Sequence, residues 1–294
     1  MEPNAIALVG ITLLAATVNG ALGYGFSSIT VPVALLFLTN RVLNPALVPI
    51  EVALNAYVLW VNRRSLANVW RRTLPIVVAL GPGIAIGTML VSLLNSDWLK
   101  FITYVTLLPL ILLQAAGFRR PIRSERSAGL AFGGGLGVLY SVTTISGPPL
   151  AVALSNQGLA KEEFRAALGF IRLAESSMTA LAYAYAGLYS RNSMMLIPQI
   201  LPSLAIGVPL GAQLIRHIRP ETFRRICMSF DAWIVAFGLS GLLRHMRLVN
   251  SGLAYLVFVA VVLLDIWMLY RFFSAPIVTD GASPYSPPEA TRSA

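Results

Sequence analysis

The predicted fold depends on a short stretch near the N-terminus, residues 19–32, which reads NGALGYGFSSITVP. Its glycines interrupt a long apolar run, and the serines and threonine that follow are preferred residues at helix N-caps. Proline fits the first turn of a helix, because the N–H group that it lacks has no partner there. We therefore predict that one helix ends at the glycines and that a short half-helix starts at or just before Pro32.

A similar stretch lies in the second half of the chain at residues 133–149, which read GGGLGVLYSVTTISGPP. It also runs from glycines through serine and threonine to proline, and it predicts a second half-helix that starts near Pro148. The N-terminus of a helix carries free N–H groups and about half a positive charge. If both half-helices begin at membrane depth, their N-termini converge on one point and favour an anion. The alternative is that both stretches are only kinked, close-packed helices.

The composition of the chain is that of a polytopic membrane protein. Of its 294 residues, 56% are hydrophobic and 12% are charged, which is about half the charged share of soluble proteins. The mean hydropathy is +0.73. The net charge of +10 lies in short runs between apolar segments, as in the loops of membrane proteins. These values exclude a soluble globular domain, a disordered chain and a nucleic-acid-binding module.

Eleven apolar segments are present, and two of them, 28–39 and 146–156, are too short to cross a bilayer. The other nine are 4–24, 46–61, 73–94, 98–117, 127–141, 165–188, 194–215, 222–242 and 250–272. None of them shows the alternation of a β-barrel strand, so we predict an all-α polytopic membrane protein.

The chain repeats itself at a spacing of 124 residues. Matching pairs at this spacing are Gly83 with Gly207, Gly87 with Gly211, Gly117 with Gly241 and Glu51 with Glu175. We predict a first membrane repeat over 1–117 and a second over 127–242, each with about five hydrophobic segments. An extra transmembrane helix follows at 250–272, and a tail rich in Ser, Pro and Gly, 274–294, is predicted to be disordered.

Arginine placement predicts that the two repeats are inverted. The clusters are Arg63, Arg64, Arg71 and Arg72; Arg119, Arg120, Arg123 and Arg126; and Arg216, Arg219, Arg224 and Arg225. If each short segment forms a hairpin with its predecessor, all three clusters fall on the cytoplasmic side, as basic loops do. The N-terminus is then periplasmic and the C-terminus cytoplasmic, and each repeat crosses the membrane an odd number of times. Inverted repeats with a mid-membrane site are typical of secondary transporters.

Two kinds of glycine are expected. Small residues four apart allow close helix packing, and we assign Gly83-x-x-x-Gly87, Gly207-x-x-x-Gly211 and Gly133-x-x-x-Gly137 to it. The backbone of the hairpins is predicted to depend on Gly23, Gly25, Pro32, Gly137, Gly147 and Pro148.

The candidate substrate-binding residues are those at the tips together with one arginine inside a predicted span. They are Ser27, Ser28, Thr30, Ser141, Thr143, Thr144, Ser146 and Arg172. Charges inside a membrane are costly and usually functional, and arginine grips an oxyanion through a bidentate fork. Arg172 lies three residues from Glu175, so the two share a helix face and are placed to pair, and the pair is either a site or a structural link.

Glu175 and its repeat counterpart Glu51 are the predicted proton-coupling residues, because a carboxylate at low dielectric can carry a proton. The alternative for Glu51 is a first helical turn after Pro45 and Pro49, where the helix dipole alone stabilises an acid. Asp231 and Asp265 also lie within predicted spans, without an identifiable partner.

Enzyme chemistry has no support in the sequence. The histidines, His217 and His245, lie at loop edges, and no zinc-protease, nucleophile-elbow or Walker A motif is present. We predict no enzyme activity, no metal and no cofactor.

The stretch from Gly20 to Phe26 with Val31-Pro32, and the turn Ser146-Gly147-Pro148-Pro149, resemble the sulfite exporter TauE/SafE family. The resemblance covers about residues 5–270. It implies a multi-pass permease of the bacterial inner membrane whose partners are the lipid bilayer and a small sulfur-containing anion such as sulfite, a sulfonate or thiosulfate. Gly25-Phe26 aligns with Leu139-Tyr140, so the two tips differ in detail.

The expected function is therefore secondary transport by alternating access, with proton coupling as an option. An uncoupled anion channel and a non-transporting membrane scaffold for a sulfur-metabolism complex are the alternatives. The sequence leaves the substrate, the coupling ion, the direction of transport and the oligomeric state open.

Overall fold

The computed structural model of the chain describes residues 3–116, 127–155, 159, 161–214, 217, 220–249 and 252–274. This part of the chain contains eleven α-helices, a short 3₁₀ turn at Gly252–Tyr255 and no strand, which confirms the all-α prediction. The helices are α1 Pro3–Leu22, α2 Phe26–Ala34, α3 Asn40–Val61, α4 Arg63–Leu93, α5 Ser96–Ala115, α6 Ser127–Thr143, α7 Gly147–Ser155, α8 Lys161–Tyr185, α9 Arg191–Leu214, α10 Pro220–His245 and α11 Leu256–Ser274. Residues 275–294 of the predicted tail lie outside the described residues.

The two short helices are α2 and α7, with nine residues each. Each rises about 14 Å, which is less than half of a hydrocarbon core of about 30 Å. Within the described residues, seven helical segments are long and apolar enough to cross a membrane, namely α1, α3, α4, α5, α9, α10 and α11 with the 3₁₀ turn before it. The apolar part of α6 is shorter, and α8 has 25 residues but carries more charge.

The turns between α1 and α2 and between α6 and α7 start in the same way. Gly23 has a φ of +83° and Gly25 a φ of +106°, left-handed values that suit glycine. In the second turn Thr144 takes this conformation, with a φ of +57°. The Gly23 N–H group donates to the Asn19 carbonyl at 2.7 Å, and the Thr144 N–H group donates to the Tyr140 carbonyl at 2.5 Å. Both preceding helices therefore end in a left-handed C-cap.

The predicted start of the first half-helix is wrong by six residues. α2 begins at Phe26, and Pro32 lies inside it. Gly25 is the residue before the helix, and its left-handed backbone lets the chain enter a new helix at once. The second half-helix begins at Gly147, directly before Pro148, as predicted.

The helices of the two halves pack crosswise. α1 packs on α9, and its repeat counterpart α6 packs on α4. At the first crossing, a Cβ on Gly207 would lie 2.6 Å from the Cβ of Ala16, and at the second, a Cβ on Gly137 would lie 2.5 Å from the Leu80 carbonyl oxygen. The assignment of Gly137 to a hairpin tip is therefore wrong. It lies inside α6, where the close approach of α4 leaves no space for a side chain.

Polar side chains satisfy the carbonyl groups at the broken helix ends. Near the end of α6, the Ser141 carbonyl accepts a hydrogen bond from the Tyr183 hydroxyl, and the Val142 carbonyl accepts one from the Asn44 amide at 2.7 Å. The Leu35 carbonyl, at the end of α2, accepts one from Lys100 at 2.7 Å. Such partners are needed because backbone groups at membrane depth have no water to bind.

The arginine clusters differ in their surroundings. Arg63, Arg64, Arg71 and Arg72 are exposed residues in the first three turns of α4. Arg225 was assigned to a loop cluster, which is wrong: it is buried in α10 and pairs with Asp265 of α11 at 2.8 Å. Arg119, Arg120, Arg123, Arg126, Arg216 and Arg219, and the side chain of Arg224, lie outside what the structure describes.

Candidate functional site

The two hairpin tips, residues 22–28 and 144–149, meet in the interior. Phe26, Ser27 and Ser28 are buried at the start of α2, and Ile145 and Ser146 are buried before α7. A Cβ on Gly147 would lie 3.3 Å from the Cβ of Tyr24, so the second tip contacts the first. The N-termini of α2 and α7 therefore lie near each other, as the sequence predicts.

Glu51 lies at the centre of the first polar cluster. Its Oε1 accepts a hydrogen bond from the Ser27 hydroxyl at 2.5 Å and an ion-pair contact from Arg172 Nη2 at 3.0 Å. Its Oε2 accepts a hydrogen bond from the Tyr140 hydroxyl at 2.7 Å. Glu51 is fully buried, and these three donors make it the partner of the arginine in the described part of the chain.

Glu175 lies at the centre of the second polar cluster and has fewer partners. Its Oε2 accepts a hydrogen bond from the Ser146 hydroxyl, the residue just before α7. Its Oε1 is buried without a hydrogen-bond partner in the described part of the chain. Each tip therefore donates one serine hydroxyl to the glutamate at the matching repeat position.

The pairing of Arg172 differs from the sequence expectation. Spacing within α8 placed Arg172 and Glu175 to pair, whereas the ion pair forms with Glu51 of α3. The spacing argument failed because α3 packs directly on α8 and brings a second carboxylate to the arginine. The alternative for Glu51, a first-turn position, is also wrong. α3 begins at Asn40, before both prolines, and Glu51 lies in the middle of this 22-residue helix.

Two nitrogens of Arg172 remain without a partner. The residue is 2% exposed, and its Nε and Nη1 make no hydrogen bond to the described residues. Buried N–H donors are almost always satisfied by protein, water or ligand. A guanidinium held by one carboxylate oxygen, with donors to spare beside two half-helix N-termini, can accept a further oxyanion.

The other predicted substrate residues fall into two groups. Ser28 and Thr30 are buried in α2, and the Thr30 hydroxyl has no hydrogen-bond partner in the described chain. Ser141, Thr143 and Thr144 bond to nearby carbonyls: Ser141 to Gly137, Thr143 to Leu139 and Thr144 to Thr143. These three hydroxyls therefore stabilise the end of α6 in this conformation rather than face a common space.

Sequence reasoning missed Tyr140 as a member of the site, whereas an amide within a predicted span, such as that of Asn55, is expected to bond to substrate or to a neighbouring helix. Tyr140 donates to Glu51, and the Asn55 amide donates to the Arg172 carbonyl at 3.3 Å. A signal for Tyr140 existed, because it is aligned with Phe26 of the first tip and a hydroxyl in one repeat alone indicates a specific partner. For Asn55 the structure shows the second of its two alternatives, a hydrogen bond to the neighbouring helix α8.

The extra C-terminal helix is attached by a separate ion pair. Asp265 Oδ1 accepts from Arg225 at 2.8 Å, and its Oδ2 accepts from the Trp233 indole at 3.1 Å. Both carboxylate oxygens of Asp265 are thus satisfied, and this pair reads as a link between α10 and α11 rather than a ligand site.

Comparison with known proteins gives one result. The sequence model of the family described as "Sulfite exporter TauE/SafE" matches residues 8–237, which is well over half of the chain. Searches of curated proteins and of solved structures return no match. The matched range includes both tips, Glu51, Arg172 and Glu175, and together with the apolar helices it identifies the chain as a multi-pass membrane protein that belongs to the TauE/SafE sulfite exporter family.

Proposed function

We propose that the protein is a secondary transporter for a small sulfur-containing anion of the sulfite, sulfonate or thiosulfate type. The observation that carries the proposal is the place of Arg172: it is buried beside both tips, and its Nε and Nη1 have no partner among the described residues although Glu51 already neutralises it. Arg225 of the α10–α11 pair also has Nε and Nη1 without a described partner, but only Arg172 lies beside the half-helix N-termini, where an oxyanion can use these donors.

Binding in this proposal combines three sources of positive potential. The anion sits between the N-termini of α2 and α7 and accepts hydrogen bonds from Arg172. Glu51 holds the guanidinium in position, while Ser27 and Tyr140 hold Glu51. Alternating access follows if the two repeats are inverted and rock about the tips, as transporters with broken helices do.

The membrane orientation belongs to the same proposal. We place the protein in the bacterial inner membrane, with the N-terminus periplasmic and the C-terminus cytoplasmic. The exposed arginines at the start of α4 then face the cytoplasm. A C-terminal reporter fusion that is active only in the cytoplasm, compared with one active only in the periplasm, tests this. A periplasmic C-terminus contradicts the inverted-repeat proposal.

The function is tested by exchange of radiolabelled sulfite in proteoliposomes, with thiosulfate, methanesulfonate and sulfate as competitors. A transporter accelerates labelled uptake when unlabelled sulfite is present inside. A channel carries sulfite without this acceleration, and a scaffold carries none. Liposomes without protein provide the control for leakage, and equal flux in both preparations contradicts the proposal.

Proton coupling has two sequence-derived candidates. Glu51 accepts from three donors, one of them the Arg172 guanidinium, and serves in this proposal as the partner of that arginine. Glu175 has one oxygen without a partner among the described residues, and if it carried the proton, Glu175→Gln would retain exchange and lose the response to a proton gradient. Exchange that responds to the gradient as in the wild type removes Glu175 from this role.

A further inference from the structure

A small cleft lies beside the two tips on the side that faces α10. It has a volume of about 20 Å³, room for about one water molecule. Gly25 and Ser28 line it from the start of α2, Pro148 lines it from the start of α7, and Cys227 and Asp231 line it from α10. The first turns of both half-helices therefore border the same space as a carboxylate.

Asp231 has no visible counterion. It is 6% exposed, and its Oδ1 has no hydrogen-bond partner within the described residues. Burying an ionised carboxylate without a partner costs several kcal/mol, so the group needs either a proton or a positive potential. The nearest positive potential comes from the helix N-termini that border the cleft.

Several of the described charged groups around α10 have partners other than Asp231. α1, α2 and α7 contain no charged residue at all. The titratable and charged groups on the elements packed against the cleft and α10 are Tyr24 in the first tip, Asp97, Lys100 and Tyr104 on α5, Tyr255 in the 3₁₀ turn, Asp265, Tyr270 and Arg271 on α11, and Arg225, Cys227, Arg244 and His245 on α10 itself. Lys100 bonds to a carbonyl of α2, Asp97 contacts His245 at 3.7 Å, and Arg225 pairs with Asp265.

The first repeat has no equivalent of this acid. Asp231 corresponds to Leu107 at the repeat spacing of 124, just as Arg172 corresponds to Val48. Packing alone is thus satisfied by an apolar residue at this position in the other half. The carboxylate of Asp231 borders the same cleft as the N-termini that are proposed to bind the anion.

We propose that Asp231 carries the coupling proton of the transport cycle. When ionised, it competes with the substrate anion for the positive N-termini of α2 and α7. When it takes a proton from water on one side, its negative charge disappears and the anion binds; the proton is released again on the side where the anion leaves. The inference rests on the proposed transport function and names the residue that couples it.

A proton suits this cleft better than a metal cation. Calcium and magnesium take six or more oxygen ligands, whereas the polar side chains here are one carboxylate, one serine, one tyrosine and one cysteine among apolar residues. Asp231 is also a better carrier than Glu175. Glu175 accepts a hydrogen bond from Ser146 and does not line this cleft, whereas Asp231 borders it beside the first turns of both half-helices.

The test is Asp231→Asn in proteoliposomes with radiolabelled sulfite, measured as exchange at equal pH and as accumulation driven by an imposed proton gradient. We expect the variant to exchange sulfite like the wild type but to accumulate none above the outside concentration. In binding measurements, coupling of the usual size weakens wild-type affinity about 5- to 150-fold as the acid ionises, whereas the variant shows no Asp231-dependent change. Sulfite itself changes protonation state with pH, but equally for wild type and variant, so the difference between the two proteins at each pH reports on Asp231.

Cys227→Ala is the matched control, because it changes the lining of the same cleft without changing a carboxylate. It should accumulate sulfite like the wild type. Asp231→Asn that still accumulates sulfite, or that folds but loses exchange as well, overturns the inference. A response to a sodium gradient instead of a proton gradient also overturns it.

Failure of the proposed function gives a different result, since wild-type protein then shows no exchange at all. If Asp231→Asn does not yield folded protein, infrared difference spectroscopy on the wild type replaces it. Binding of sulfite should produce a band of a protonated carboxyl group, and Asp231→Glu should shift that band. A sulfite-induced spectrum without this band, or with a band that Asp231→Glu leaves unshifted, contradicts the inference.

Discussion

Each hairpin tip donates a serine hydroxyl to a glutamate at the same repeat position, but the two glutamates differ in their other hydrogen-bond partners. The first tip contributes Ser27 to Glu51, which also receives Tyr140 and Arg172. The second tip contributes Ser146 to Glu175, and one oxygen of that carboxylate stays unpaired. The serine–glutamate contact is therefore common to both tips, whereas the ion pair with an arginine is described only for Glu51.

The difference lies in what the second repeat adds. Arg172 and Asp231 stand where the first repeat has Val48 and Leu107. A symmetric pair of broken helices supplies two similar N-termini, while the added arginine and aspartate give the space around them a cation on one side and an acid on the other. In the proposed mechanism, the features shared by the two repeats supply the framework, and Arg172 and Asp231, which the first repeat lacks, bind and release the anion.

The largest effect is expected from Arg172→Ala, which leaves Glu51 buried without its cation. Breaking a buried pair costs about 3–5 kcal/mol, and sulfite exchange should be lost. Thermal unfolding in detergent and proteoliposome exchange measure the two effects. The double variant Arg172→Ala with Glu51→Gln should recover much of the stability but none of the exchange.

Arg172→Lys sharpens the same comparison, because it keeps the charge without the guanidinium's planar set of donors and should weaken sulfite affinity. If folded Arg172→Ala exchanges sulfite normally, the difference between the tips is structural only and the site assignment is wrong.

The next effect concerns positions where the two halves should behave alike. Gly137→Ala and Gly207→Ala each place a Cβ within 2.6 Å of a neighbouring helix, and overpacking typically costs about 1–3 kcal/mol. Both variants should lower the yield of folded protein to a similar degree. Gly135→Ala in the same helix α6 meets no atom within 4 Å and should be neutral or slightly stabilising. If Gly137→Ala folds normally but loses transport, and Gly207→Ala does not, Gly137 has a role in the hairpin tip and the packing assignment is wrong.

A smaller effect separates the two serines. Ser146→Ala removes the hydrogen bond that Glu175 receives and leaves a buried acceptor unsatisfied, at a cost of about 1–3 kcal/mol. Ser27→Ala leaves Glu51 with Tyr140 and Arg172, so the loss should be nearer about 0.5–1.5 kcal/mol. Thermal unfolding of the two variants in detergent measures both losses and shows whether that of Ser146→Ala is larger. Equal losses mean that the two carboxylates are equally satisfied in solution.

The smallest effect is expected from Tyr140→Phe. It removes one of three donors to Glu51 with little change of shape and should cost about 1 kcal/mol, while a modest loss of sulfite affinity reports a looser Arg172. Tyr183→Phe provides the control, since that hydroxyl binds the Ser141 carbonyl and not Glu51. If Tyr183→Phe weakens sulfite binding as much as Tyr140→Phe, the hydroxyl of Tyr140 has no special role.

The sequence determined the helical fold and the approximate place of every described helix. Apolar segments of spanning length, the repeated glycines and the break at each tip depend on local composition, so they are visible in one dimension. The start of α2 was misplaced because a left-handed Gly25 begins a helix as effectively as Pro32 does, and the sequence does not show backbone angles.

Which residues contact one another in the site was decided by tertiary packing alone. Spacing placed Arg172 beside Glu175, and only the contact of α3 with α8 gave it Glu51 instead. Likewise, Gly137 is a packing residue because α4 lies against it, and Asp231 lies beside the tips because α10 packs there. Local sequence fixes which residues share a helix face, but ion pairs in a low-dielectric interior go to whichever opposite charge the helix packing brings close, and that information lies in no single segment.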